Sequence, residues 1–396
     1  MNTTTFVLVD HQNEWSNLNP LTLTKPVSHL RVGILKIYEK WNLFLNTQVL
    51  FKCSVNYLSS FNSNFEINGD IAFINSSIIP NKEIVTAILS LKDGESLYKD
   101  GVLISSKKGN SKFEKEVVYK NELLKLDFPW DIFKINEKAI AIDFEILTKG
   151  RLSFEISKTN TILGSIKNIF IEKGAKVEAA ILNTNGGYIY IGKNAEIMEG
   201  SVVRGSLALC ENATLKLATK IYGATTVGPH SKVGGEVNNS VIQGYSNKGH
   251  DGFLGNSVIG EWCNLGADTN NSNLKNNYGE VKSWNYQKQD FIATGLQFLG
   301  LIMGDHSKCG INTMFNTGTV VGVFANVFGS DFPPKFVPSY SWGGAKGFQK
   351  YKFEKALEVA KAVMVRRNIE LSKNDKEILK SILQLKNKQA SKELNN

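Results

Sequence analysis

His250 lies in the string Tyr245-Ser246-Asn247-Lys248-Gly249-His250-Asp251-Gly252-Phe253-Leu254-Gly255. A second polar stretch follows, Asn264-Leu265-Gly266-Ala267-Asp268-Thr269, then Asn277-Tyr278-Gly279, then Lys282. An imidazole titrates near neutrality, so a histidine among Lys, Asn and Tyr is a candidate proton acceptor; its bland counterpart is a surface hydrogen-bonder. Asn264 competes with a corner asparagine that tolerates left-handed backbone, and Lys282 with an ordinary solvated lysine. His230 and His306 follow Pro229 and Asp305 in turn-like contexts and read as structural. The five histidines lack the spacing that converges three imidazoles on zinc. The four cysteines, Cys53, Cys210, Cys263 and Cys309, are far apart with no C-x-x-C pair, so neither a zinc ribbon nor a disulfide framework is expected. No metal ligands are assigned.

A period of six decides what positions these residues. Ile191, Ile197, Val203, Leu209, Leu215, Ile221, Val227 and Val233 recur at that interval, and a small residue stands four places after most of them: Ala195, Ser201, Ala213, Thr219, Thr225 and Ser231. The phase resumes at Ile259-Gly260 and Leu265-Gly266, then at Met303, Cys309-Gly310, Phe315, Val321-Gly322 and Val327. Helices repeat at 3.6 and half-buried strands at 2.0, whereas six marks a parallel β-helix. The aliphatic residue points into the prism, and the small one turns the corner. Between Val233 and Ile302 the rule is interrupted twice. Those interruptions read as loop excursions that carry the polar residues on a rigid scaffold.

The chain has 396 residues, 42% of them hydrophobic, 34 glycines, and 46 Lys+Arg against 37 Asp+Glu for a net charge of +9. This is a globular composition with enough apolar material for sizeable cores. Much of the excess charge sits near the end, around Lys350–Lys355 and Lys373–Lys388, on solvated helix faces whose apolar sides are Leu357, Ala360, Val363 and Met364, then Ile378, Leu379, Ile382 and Leu383. No aromatic-basic strip accompanies it, so nucleic acid is not an expected partner. No apolar run reaches a membrane span and the start lacks a signal-peptide pattern, so a cytoplasmic protein with no membrane partner is expected. Three parts follow: an α/β domain over 1–155, the β-helix over 156–340 and a helical tail over 341–396.

The string around His250 resembles the acetyltransferase half of the bifunctional GlmU-type family, which joins glucosamine-1-phosphate N-acetyltransferase and UDP-N-acetylglucosamine diphosphorylase activities. That family shows a His before aromatic-Leu-Gly, then Asn-x-Gly-Ala-Gly-Thr, Asn-Tyr and a Lys. The wording here looks like its divergent Bacteroidetes-type and archaeal relatives. The resemblance covers about 160–330 and implies a left-handed prism, a homotrimer and acetyl-CoA as cosubstrate. It further implies His250 as general base, Asn264 and Asn277 holding an amino sugar, and Tyr278 beside it. Lys282 and Lys232 would meet the sugar phosphate, with Lys248 supplying a charge from the loop. Ala267 and Gly310 would lie along the CoA. This sequence departs from the family at Phe253, where a Tyr is usual, and at Asn238-Asn239, which replace a Lys pair.

The N-terminal part opens with a strand-like Thr5–Asp10 and continues through Leu18-Asn19-Pro20-Leu21-Thr22 to Pro26. It resembles the start of sugar-phosphate nucleotidyltransferases. Those place a Gly-rich, phosphate-cradling loop after the first strand, yet His11-Gln12-Asn13-Glu14-Trp15-Ser16 contains no glycine. Lys25 and Arg31 are the nearby cations for a nucleotide such as UTP. Asn68-Gly69-Asp70 faintly echoes a metal-binding Gly-Asp, and Mg²⁺ enters only if this domain is active. The expected fold is thus an α/β nucleotidyltransferase-like domain, a left-handed parallel β-helix and C-terminal helices.

The leading functional reading is acetyl-CoA-dependent N-acetylation of an amino-sugar 1-phosphate in nucleotide-sugar biosynthesis. Alternatives are sugar-1-phosphate nucleotidyl transfer, with the prism as a trimerising module, and a non-enzymatic scaffold. A γ-class carbonic anhydrase shares the prism but needs the three histidines that are absent here.

Overall fold

The computed structural model describes residues 4–65, 70–108 and 115–393. The N-terminal unit is a six-stranded mixed sheet in the order Leu50–Lys52, Thr5–Val9, Ile71–Asn75, Val102–Lys108, Glu95–Lys99 and Lys115–Val118. The first three strands are parallel. Helices α1 (Gln12–Asn17), α2 (Ile37–Leu45), α3 (Lys82–Leu89), α4 (Asp131–Lys134) and α5 (Asn136–Thr148) surround it. The middle strand Thr5–Val9 buries Phe6, Val7 and Leu8, as a strand covered on both faces should.

From Thr161 the chain winds as a left-handed parallel β-helix with three flat faces. Every aliphatic residue of the sixfold period from Ile191 to Val233 faces the interior at no more than 1% exposure. Ala195, Ser201, Ala213, Thr219, Thr225 and Ser231 are equally buried, because the next coil leaves a corner no room for a larger side chain. The first interruption differs from expectation. Residues 235–255 are no excursion: the coil continues through Val237, Ile242, Lys248 and Leu254, with Lys248 in register with Val233 and Leu254 with Val237. Two shortened corners, from Val233 to Val237 and from Val237 to Ile242, shift the phase, and a lysine in the next interior slot hides it further. The second interruption is a true insertion, with an antiparallel hairpin of Lys282–Asn285 and Asp290–Ala293.

One face, which we call the docked face, carries Phe170, Tyr190, Ala208, Thr226, Val241, Val258, Ile302 and Val320 outward in register. All of these are buried beneath the N-terminal unit. α5 packs Ile140 and Phe144 onto Phe170 and Tyr190, and Thr226 donates to the carbonyl of Gly33 at 3.0 Å. The corner after this face holds left-handed residues in successive coils, first Asn194 and Asn212, then His230, Tyr245, Trp262, His306, Phe324 and Tyr340. Asparagine adopts that backbone readily, whereas an aromatic residue there is strained. The six rings stack on one another at centroid spacings of 4.3 to 6.2 Å. The ladder also belongs largely to a core shared with the N-terminal unit and with α6 (Phe353–Val365) and α7 (Lys373–Glu393). Packing of this size offsets the local strain.

Candidate functional site

A second prism face, the groove face, presents Lys232, Asn247, Asn264 and Lys308 outward in neighbouring coils. Their spacing follows from the repeat, since each immediately precedes an interior residue. Beside them run Gly234, Gly249, Gly266 and Gly310, each immediately after an interior residue. A Cβ at Gly266 would come within 2.4 Å of Gly310, so the coils approach here as bare backbone. α6 crosses above, and Arg367 donates to the carbonyl of His230 at 3.3 Å. Between helix and face lies a cavity of about 630 Å³. It is lined by His250, Asn247, Asn264, Ala267, Tyr245, Trp262, five cations (Lys216, Lys232, Lys308, Arg366 and Arg367) and further apolar residues. No carboxylate is among the lining residues. The chamber therefore favours an anion, and low-dielectric walls strengthen that preference. Burial lowers the Lys308 ammonium below its usual range. The buried Oδ1 of Asn247 has no hydrogen-bond partner among the described residues, an acceptor left for a ligand donor or water.

His250 sits exposed at the corner where the groove face turns into the third face, and it also borders a second, shallower recess with Gly235, Asp251 and Asp268. Asn264, Lys232 and Ala267 share its cavity, while Gly310 is one coil further on. Three expected residues are not brought there. Asn277, Tyr278 and Lys282 belong to the insertion, which leaves the prism after the third face, at another corner. The hairpin packs Trp284 on Phe336 of the prism at 4.2 Å and reaches back to the N-terminal unit where Asn285 donates to Asn17 at 3.0 Å.

Lys248 is a correction. It points into the prism at 2% exposure, and its ammonium donates to the carbonyls of His250 at 2.6 Å and Asp251 at 2.9 Å. Burial lowers its pKa to about 8, only partly countered by Asp251, Asp268 and Cys309. It cannot serve as an outward phosphate contact.

Lys25 and Arg31 are likewise spent internally. The Lys25 ammonium lies 2.7 Å from Glu261 and 2.8 Å from Asp305, both on the prism. Burial opposes the charge on Glu261, but Lys25 and Lys36 outweigh it and hold the carboxyl well below its usual range. The Arg31 backbone donates to Gln243 Oε1 at 2.6 Å and its Nε to the Gln243 carbonyl at 3.3 Å. Both cations fasten the N-terminal unit to the β-helix. Where a Gly-rich loop would cradle phosphates, α1 begins at once. Asp10 is instead buried beneath Ser76 and the amide of Val27, and burial raises its pKa to about 6. Asn68 and Gly69 lie outside the described residues, and Asp70 accepts from Thr4 and pairs with Lys107. Among the described residues no group of His, Cys, Asp or Glu could hold a metal, and no helix is long and apolar enough to cross a membrane.

Lys216, Lys308, Arg366, Arg367 and Asn247 were not expected from sequence. Lys216 and Lys308 flank interior residues of the repeat, a signal that was available. The arginines carry none, because α6 reaches the groove only through tertiary packing.

Both halves of this architecture have known counterparts. Residues 6–152 match the family described as Sugar nucleotidyl transferase. The chain is 26% identical over 264 residues to the bifunctional sugar-1-phosphate nucleotidylyltransferase/acetyltransferase of Sulfurisphaera tokodaii, covering 66% of this chain and 57% of that one. It is 34% identical over 110 residues to the bifunctional protein GlmU of Methanocaldococcus jannaschii, covering 28% and 25%. The uncharacterized acetyltransferase YaiX of Escherichia coli is 26% identical over 153 residues, 38% of this chain and 66% of that one. The chain thus spans a little over half the length of the first of these relatives. Its likeness is to the transferases, of nucleotidyl groups in the first part and acetyl groups in the second.

Proposed function

We propose that the groove binds an acyl-CoA, acetyl-CoA in the first instance, and an amino-sugar 1-phosphate of the glucosamine-1-phosphate kind, and that His250 is the general base for N-acetylation. One observation carries this reading: His250 and five cations surround a single cavity whose lining has no carboxylate. Both substrates are anionic through their phosphates, and charge-assisted contacts from Lys and Arg suit them. The sugar amine attacks the thioester carbonyl, forming the C–N bond, and His250 takes the proton released by nitrogen. The C–S bond breaks, and the thiolate leaves as CoA. Asn264 and Lys232 are proposed to hold the sugar phosphate, and Ala267 and Gly310 to flank the acyl carrier. Asn277, Tyr278 and Lys282 would contribute to the His250 of a second copy in a homotrimer.

The test is thiol release from acetyl-CoA with glucosamine-1-phosphate. Replacing a general base typically costs 10²- to 10⁴-fold, so His250→Ala is expected to lose about that much turnover. Undiminished turnover would remove His250 from the reaction. A second reading, uridylyl or other nucleotidyl transfer with Mg²⁺ in the N-terminal unit, is favoured by the family match over residues 6–152. The engagement of Lys25 and Arg31 within the protein weighs against it.

A further inference from the structure

The coil that carries His250 turns its corner on a glycine, as does the coil before it at Gly235, whereas three others use a threonine. In three other coils, the residue four places after the interior one is a threonine whose hydroxyl donates to the carbonyl three residues earlier. These are Thr219 to Lys216 at 2.6 Å, Thr269 to Gly266 at 2.7 Å and Thr313 to Gly310 at 2.9 Å. The left-handed residue of those corners is Ala218, Asp268 or Asn312, three places after the interior residue. In the His250 coil the threonine position is Gly252, and the left-handed turn has moved onto it, at φ 111°. No side chain can stand there, since a Cβ would meet the carbonyl oxygen of Thr269 at 2.2 Å. The corner has thus lost its hydroxyl staple. The interior slot of the same coil holds Lys248, whose ammonium bonds the carbonyls of His250 and Asp251.

We infer that Lys248 is a positioning residue for His250: where a threonine staple would hold the Gly249 carbonyl, the ammonium holds the next two carbonyls from inside the prism and so aims the imidazole outward at the cavity. A charged group in an aliphatic interior is costly, and the cost is set against two charge-assisted hydrogen bonds, one to the His250 carbonyl and one to the Asp251 carbonyl, which also accepts from the amide of Asp268 at 3.0 Å. Lys248 touches no substrate. Its effect is on the angle and the population of the productive His250 conformer, which a rate feels steeply.

Lys248→Met in the full chain tests this, with Leu265→Met, in the interior slot one coil further on, as the control. Methionine suits an aliphatic interior, so the variant should remain folded. In protein labelled at histidine with ¹³C, the His250 ring resonance is assigned by its loss in His250→Ala. It should move in Lys248→Met and stay in place in Leu265→Met. With acetyl-CoA and an amino-sugar phosphate, kcat should fall about tenfold or more while KM changes little. If methionine at 248 unfolds the chain, Lys248→Leu, which likewise leaves no donor in the slot and matches the leucine of the next coil, is read the same way. An unchanged His250 resonance in the folded variant overturns the inference. Only the kinetic arm rests on the acetyltransferase reading. A wild-type chain that transfers no acetyl group would defeat that reading and leave the resonance to decide on Lys248.

Discussion

Lys248 has a folded-state pKa of about 8, below the usual lysine value of 10.5, because burial disfavours its charge more than Asp251, Asp268 and Cys309 favour it. Between those two values the unfolded chain holds a proton that the folded chain has released. Stability therefore rises with pH across that window, and below about pH 8 the ammonium burdens the fold in full. Lys248→Met removes this burden. Its melting temperature should exceed that of the wild type at pH 7, and the gap should narrow toward pH 10. A gap that stays constant from pH 7 to pH 10 would show that Lys248 does not titrate in the window. The price of the buried charge at neutral pH is consistent with a residue retained for where it holds the His250 corner.

The aromatic ladder makes a similar argument for an element. Phe324 sits in a left-handed conformation that asparagine would adopt more easily by about 1 kcal/mol. It is 1% exposed, stacked on His306 at 4.6 Å and Tyr340 at 5.5 Å. Removing a buried phenylalanine side chain costs about 3–5 kcal/mol, so Phe324→Asn should be net destabilising by roughly 2–4 kcal/mol. An unchanged thermal midpoint would mean that backbone preference rules this corner. The same elements show what a sequence reveals. The sixfold period was legible because chemically alike side chains fill equivalent slots, and the apolar stripes of α6 and α7 were legible for the same reason. The coil through Lys248 was not, since shortened corners after Val233 and Val237 shift the phase and a cation in the next interior slot imitates a loop. Asn271 disguises its slot likewise, between Leu254 and Phe315 on the third face. His250 could be singled out from its neighbours in sequence. Arg366 and Arg367 could not, because helix packing rather than local sequence carries them to the cavity.

At the scale of the whole molecule, the N-terminal unit, the docked prism face and the C-terminal helices share one hydrophobic cluster, and Lys25 is buried at their junction. Breaking a buried ion pair by removing one partner costs about 3–5 kcal/mol, since the other charge is left unpaired. Lys25→Met should therefore lower the melting temperature of the entire chain in a single transition, although Lys36 still lies 3.5 Å from Glu261. A separate early transition of the N-terminal unit would show that the fastening is local. The same variant discriminates the roles of Lys25. A lysine that holds phosphates in nucleotidyl transfer has its ammonium free for substrate, whereas this one contacts two carboxylates. Full-length protein given Mg²⁺, a sugar 1-phosphate and each of the four common NTPs in turn is expected to release no pyrophosphate. Release by the wild type that disappears in a folded Lys25→Met would reverse this assignment, because the ammonium would then have to exchange Glu261 and Asp305 for a nucleotide during turnover. The N-terminal unit would in that case open from the prism face it now covers.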